Sequence, residues 1–100
     1  MRVTNLNDAY IEIVTVSVAG TPEVGSTVPV PDGVALNVRA HPDNTGFIYL
    51  GSSSANALSG STAHTLIAAD QGESWQVRNL DRIWFNSSVS GEKAIVTFEK

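Results

Sequence analysis

The chain of 100 residues contains no cysteine. It therefore has no disulfide, no thiol nucleophile and no thiolate metal site, and a secreted domain of this size more often carries a bridge, which points to synthesis in a reducing cytoplasm. Basic residues are scarce: six Lys and Arg against ten Asp and Glu leave a formal charge of −4. They stand singly at Arg2, Arg39, Arg78, Arg82, Lys93 and Lys100, with no stripe to track a phosphate backbone, so nucleic acid is not an expected partner. No apolar run approaches the roughly 18 residues of a membrane span. The opening stretch MRVTNLNDAY lacks the form of a signal peptide. No membrane partner is expected. Amphipathic helical periodicity is missing as well, which argues against an α/β fold.

What is present is a hydrophobic fraction of 42% in a length suited to one domain. The stretch YIEIVTVSVAG is dominated by β-branched residues and alternates, so it predicts a strand. Gly20, Pro22, Gly25, Pro29 and Pro31 then punctuate an extended segment that cannot donate a full ladder and belongs at a sheet edge, closing in a turn at Asp32 and Gly33. In VALNVRA, Val34, Leu36 and Val38 share one face and Ala35, Asn37 and Arg39 the other. HPDNTG and the apolar FIYLG that follows read as the turn and second strand of a hairpin. Residues 52–65 form a Ser-, Ala- and Gly-rich loop, LIAADQGESWQV a short strand, a turn and a strand, and residues 79–100 two closing strands around a turn at Ser90, Gly91 and Glu92. The expected architecture is all-β: an antiparallel two-sheet sandwich, jelly-roll-like or immunoglobulin-like, of seven to eight short strands over residues 9–100, preceded by an arm at residues 1–8. The expected core comprises Ile11, Ile13, Val34, Leu36, Val38, Ile48, Leu50, Val77, Ile83, Ile95 and some of the aromatics.

Candidate chemistry is thin. His41 and Asp43 beside a loop serine would supply the residue types of a nucleophilic triad, but there is no G-x-S-x-G elbow. Asp32, His41, Asp43 and His64 have no metal-ligand spacing. The carboxylates Glu12, Glu23, Asp70, Glu73 and Glu92 are dispersed and read as solvated. No catalytic, cofactor or metal residue is assigned. Among the aromatics, Trp84 lies between Ile83 and Phe85, and neighbours on a strand face opposite ways, so it is the aromatic to expect at a surface.

Four motifs occur in order: V-P-V-P-D-G at residues 28–33, H-P-D-N-T-G-x-I-Y-x-G at 41–51, G-E-S at 72–74 and N-L-x-x-I-x-x-x-x-S-V-S-G at 79–91. In this the chain resembles small virion structural proteins of tailed bacteriophages, over roughly residues 28–98. The resemblance implies a non-enzymatic capsid decoration (cement) or head-fibre protein, made in the host cytoplasm and carried on the outside of the head. It implies the major capsid protein or another virion protein as partner and self-association, a homotrimer ahead of a homodimer. Contacts with the partner are expected at Asn5 and Leu6 in the arm, at Val24, Val28 and Pro29 on the Pro-rich edge, and at Trp84. The alternative is a tail-associated receptor- or carbohydrate-binding module, in which Trp75 or Trp84, Asn86 and the 52–65 loop contact a glycan.

Overall fold

A computed structural model describes residues 9–99; the arm expected at 1–8 lies outside them. Among the described residues eight strands form: β1 (Ala9–Val16), β2 (Glu23–Val24), β3 (Leu36–Ala40), β4 (Ile48–Gly51), β5 (Thr65–Ile67), β6 (Gly72–Trp75), β7 (Trp84–Ser87) and β8 (Glu92–Glu99). Among the described residues the helical content is two 3-10 turns, Asn56–Leu58 and Leu80–Arg82. Every pairing is antiparallel, in two four-stranded sheets ordered β1-β8-β3-β6 and β2-β7-β4-β5. The pairs are nested, first strand with last and fourth with fifth. This is the order of a doubled-over chain wound into a jelly roll, and it decides between the two sandwich types left open by the alternation.

The nesting corrects one local expectation. HPDNTG does not close a hairpin, because β3 lies between β8 and β6 whereas β4 lies between β7 and β5. The 41–47 segment instead carries the chain from one sheet to the other, bound to the start of β8. His41 N–H donates to the Lys93 carbonyl at 3.0 Å, and the Asn44 side chain accepts from Lys93 N–H at 3.0 Å and donates to its carbonyl at 2.8 Å. Glu92 completes the clamp. Its Oε1 accepts from Thr45 N–H (2.8 Å) and Gly46 N–H (2.5 Å), and its residue is only 6% exposed. The expectation of a solvated carboxylate at Glu92 therefore fails: its side chain is buried and serves as the acceptor for two amides of the crossover that no ladder pairs.

Turn chemistry follows the sequence. Gly91, between β7 and β8, has φ of 85°, a conformation that costs a side chain-bearing residue and costs glycine nothing. Asp70 adopts φ of 67° between β5 and β6, as aspartate tolerates. That turn also latches onto β3, with Asp70 N–H donating to the Ala40 carbonyl (3.0 Å) and Ala40 N–H to the Gln71 carbonyl (2.8 Å).

The core lies between the sheets. Leu36, Val38, Ile48, Leu50 and Ile83 are buried as expected, joined by Val14, Val16, Phe85, Ala94, Val96 and Phe98. Val34 and Val77 are half-buried and pack against this cluster. Three expected core residues face outward: Ile11 is 68% exposed, Ile13 54%, and Ile95 half-buried. The reason is register. β1 and β8 pair in phase, Val14 with Ala94 and Ile13 with Ile95, so once Ala94, Val96 and Phe98 point inward both isoleucine rows must point out.

This partition sets unequal costs. Leu36→Ala should lower the unfolding free energy by about 2–5 kcal/mol, whereas Ile11→Thr should change it by less than about 0.5 kcal/mol. Urea denaturation followed by tryptophan fluorescence checks both, and equal costs would contradict the assignment of faces.

Candidate functional site

The outer face of β2-β7-β4-β5 is largely covered by the chain itself. Trp84 points outward and is half-buried, between Ile83 (1% exposed) and Phe85 (0%), as its place on the strand predicts. It pairs in register with Val24 on one side and Gly51 on the other, so two expected contact residues, Val24 and Trp84, do meet. Beyond them the 52–63 loop folds down on the sheet. A Cβ on Gly51 would collide with the Asn56 side chain and with Ala57 N. Asn86 anchors that loop: fully buried, it donates from Nδ2 to the carbonyls of Ala57 (3.0 Å) and Leu58 (3.1 Å) and accepts at Oδ1 from Gly20 N–H (2.9 Å). Both amide hydrogens and the carbonyl are engaged within the chain, so Asn86 has no group left to offer a glycan.

The Pro-rich edge is also bound inward. Val28 N–H donates to Asn79 Oδ1 (2.9 Å), Leu80 N–H to the Val28 carbonyl (2.9 Å), Val30 N–H to the Arg78 carbonyl (2.9 Å) and Gly25 N–H to the Ile83 carbonyl (2.9 Å). Val28 is half-buried, while Pro29 and Val24 are exposed. Proline spacing here does not leave the backbone free. The amides of Gly25, Val28 and Val30 and the carbonyl of Val28 all pair with residues 78–83, which lead into β7. Asn5 and Leu6 lie outside the described residues.

The titratable residues fall into small local sets. His41 Nδ1 accepts from Asp43 N–H at 3.1 Å within its own turn. His64 Nε2 is 3.1 Å from Ser52 Oγ and its ring meets Trp75 edge-on at 6.0 Å, but both partners of the Ser52–His64 pair are exposed and no carboxylate hydrogen-bonds the ring among the described residues. The indole N–H of Trp75 is itself buried without an acceptor among the described residues. Asp32, His41, Asp43 and His64 do not converge, and no group of three His, Asp or Glu able to hold a metal occurs among the described residues. Two further acids expected to be solvated act as acceptors: Glu23 for Ser17 N–H (3.0 Å), and Glu12 for the hydroxyls of Ser26 (2.7 Å) and Tyr10. Tyr10, stacked on Phe98 at 4.9 Å, has its pKa pushed up to about 12, first by donating that hydrogen bond to Glu12, then by desolvation and by the nearby carboxylate charge.

The outer face of β1-β8-β3-β6 is different. Among the described residues no loop covers Ile11, Ile13 and Ile95, and beside them a shallow depression of ≈ 680 Å³ is lined by Asn37, Arg39, Gly72, Glu73, Ser74, Ile95 and Thr97. Three lining groups are preset: Ser74 Oγ donates to Asn37 Oδ1 at 2.7 Å, and Arg39 lies 3.4 Å from Asp70. Alternation alone missed this surface because isoleucine reads as core. The available signal was in β8, where Ile95 shares its face with Lys93, Thr97 and Glu99. No known family matches the chain, nor does any curated protein or solved structure at a significant level.

Asn86→Ala should cost about 1–3 kcal/mol by stranding two carbonyls and an amide. It should also raise hydrogen exchange at Ala57, whose N–H bonds the Ser53 carbonyl, before it affects the β8 amides. For Tyr10, a folded-state pKa above its ordinary 10.0 means a stabilising contribution present below pH 10 and lost as pH rises towards 12. On a Tyr49→Phe background, ultraviolet titration should place the Tyr10 midpoint near 12, and Glu12→Gln should bring it back towards 10.

Proposed function

We propose that the chain is a non-enzymatic virion structural protein, a decoration protein bound to the outside of a bacteriophage head. On this reading it meets the major capsid protein through the outer face of β1-β8-β3-β6. The observation that carries the reading is the asymmetry of the two outer faces: one is roofed by the chain's own 52–63 loop, the other presents Ile11 and Ile13 at 68% and 54% exposure beside the half-buried Ile95. Exposed apolar clusters with a polar rim mark interaction surfaces, and here Asn37, Arg39, Thr97 and Lys93 form the rim. The jelly roll is used by viral capsid domains among others, so it is compatible with this role without selecting it. The motif series at 28–33, 41–51, 72–74 and 79–91 is what directs the reading to phage particles.

One observation favours the second reading, a tail-associated carbohydrate-binding module. The shallow depression beside Ile95 sets that side chain among amide, hydroxyl, guanidinium and carboxylate groups from Asn37, Ser74, Thr97, Arg39 and Glu73, the mixture that hydrogen-bonds a sugar. On that reading the glycan lies over β3 and β6 rather than against Trp84 and Asn86.

The two separate on one substitution. Ile95→Asp, on the face and away from the sheet edges, should abolish saturable binding to heads stripped of the protein while leaving the circular dichroism spectrum and melt unchanged. Undiminished binding to heads would count against this face as the attachment surface. Binding to a glycan array that Asn37→Ala and Ser74→Ala weaken, with no head binding, would replace the decoration reading by the carbohydrate one.

A further inference from the structure

The two sheets have four edge strands, and three are protected. β2 has two residues between Pro22 and Gly25, β5 has three, and β6 has four, beginning Gly72-Glu73. Shortness, proline and charge are the usual guards against pairing with another chain. β1 is long and lacks proline: it runs for eight residues, AYIEIVTV, without proline, glycine, lysine or arginine, and its one charge, Glu12, is engaged within the chain by the hydroxyls of Ser26 and Tyr10.

The direction of its backbone groups follows from two bonds. Gly91 N–H donates to the Val16 carbonyl at 2.8 Å, so Val16 faces β8. His41 N–H donates to the Lys93 carbonyl, so Lys93 faces β3, and Glu92, Ala94 and Val96 must face β1, opposite Val16, Val14 and Glu12. By alternation Ile11, Ile13 and Thr15 direct their N–H and C=O groups to the open side. Among the described residues no backbone hydrogen bond outside the strand ladders reaches these three. Their side chains, too, lie on the outer face, where all three are exposed.

We propose that β1 pairs antiparallel with β1 of a second copy of this chain about a twofold axis at Ile13, joining two four-stranded sheets into one of eight. The contact is isologous, so one edge serves as its own complement. Register selects the axis. Centred on Ile13, the pairing sets Ile13 against Ile13, Ile11 against Thr15 and, on the inner face, Glu12 against Val14, with about six new backbone hydrogen bonds. Centred on Glu12, it would oppose two carboxylates directly, which is unfavourable. Centred on Val14, it would leave Ile11 of both copies beyond the ladder. A slip of one residue would set inner faces against outer ones. Pairing at Ile13 also merges the two isoleucine clusters into one stripe. Such a contact closes after two copies, so it builds a dimer where the resemblance implies a trimer first. The inference does not depend on the virion reading.

The absence of cysteine makes the test direct, because a single introduced thiol has no competitor. In the full chain, sedimentation equilibrium at high micromolar concentration should show a reversible dimer. Under mild oxidation Ile13→Cys should cross-link to itself, since residues facing each other in such a pair have Cα atoms about 5.5 Å apart, within disulfide reach. Thr15→Cys alone should not cross-link but should link to Ile11→Cys when the two are mixed. Ile13→Lys should raise the dissociation constant roughly tenfold or more with an unchanged circular dichroism spectrum. A single 10.6 kDa species at every concentration overturns the proposal, as does a dimer in which the Ile13→Cys variant does not link to itself. A monomer whose Ile13 amide is protected from hydrogen exchange overturns it too, and assigns the edge to residues 1–8 of the same chain.

Discussion

β8 is the strand on which the rest of the domain depends. It is inserted between β1 and β3, so the last eight-residue strand of the chain joins the first strand to the third, with hydrogen bonds on both of its edges. Once Ala94, Val96 and Phe98 point inward, pleat geometry fixes the inward face of each neighbour: Val14 and Val16 on β1, Leu36, Val38 and Ala40 on β3. The same constraint forces Ile11, Ile13, Ile95 and Thr97 outward. Core and exposed apolar surface are thus two consequences of one register.

Two buried polar side chains hold the connections that this winding requires. A jelly roll repeatedly sends the chain from one sheet to the other, and each crossing leaves backbone groups that no ladder satisfies. Glu92 satisfies two of them in the β3 to β4 crossing, and Asn86 satisfies three at the 52–63 loop and at Gly20. A partly satisfied network inside a core this small would be costly; Asn86 engages both amide hydrogens and its carbonyl, and Glu92 engages Oε1 twice. The Asn86-anchored loop covers one outer face, and among the described residues no loop covers the other.

Among the described residues the outer face and the unpaired edge of β1 are adjacent, and they offer different kinds of contact. The face offers side chains and takes a surface of matching shape; the edge offers N–H and C=O groups and takes a strand. Ile11 and Ile13 belong to both, because in β1 the residues whose backbone points to the edge are also those whose side chains point outward. A protein that uses the edge for itself therefore still presents a continuous isoleucine stripe on the face.

The sequence by itself determined the class of fold, the positions of most strands and the turns. Alternation marks β3 and β8, β-branched residues mark β1, and Asp70 and Gly91 sit where the backbone turns left-handed. It also placed Trp84 at a surface. Only the tertiary structure decided which of two alternating sets faced the core, since Ile11 and Ile13 are as apolar as Val14 and Val16 and a period of two is indifferent to which side is buried. Only it decided that residues 41–47 cross between sheets, because local turn chemistry is the same whether the next strand pairs with the last or leaves it. The roles of Glu92 and Asn86 were likewise illegible. A polar residue on a strand reads as solvated until long-range pairing brings unpaired amides and carbonyls against it, and those partners are separated from Glu92 by 46 and 47 residues.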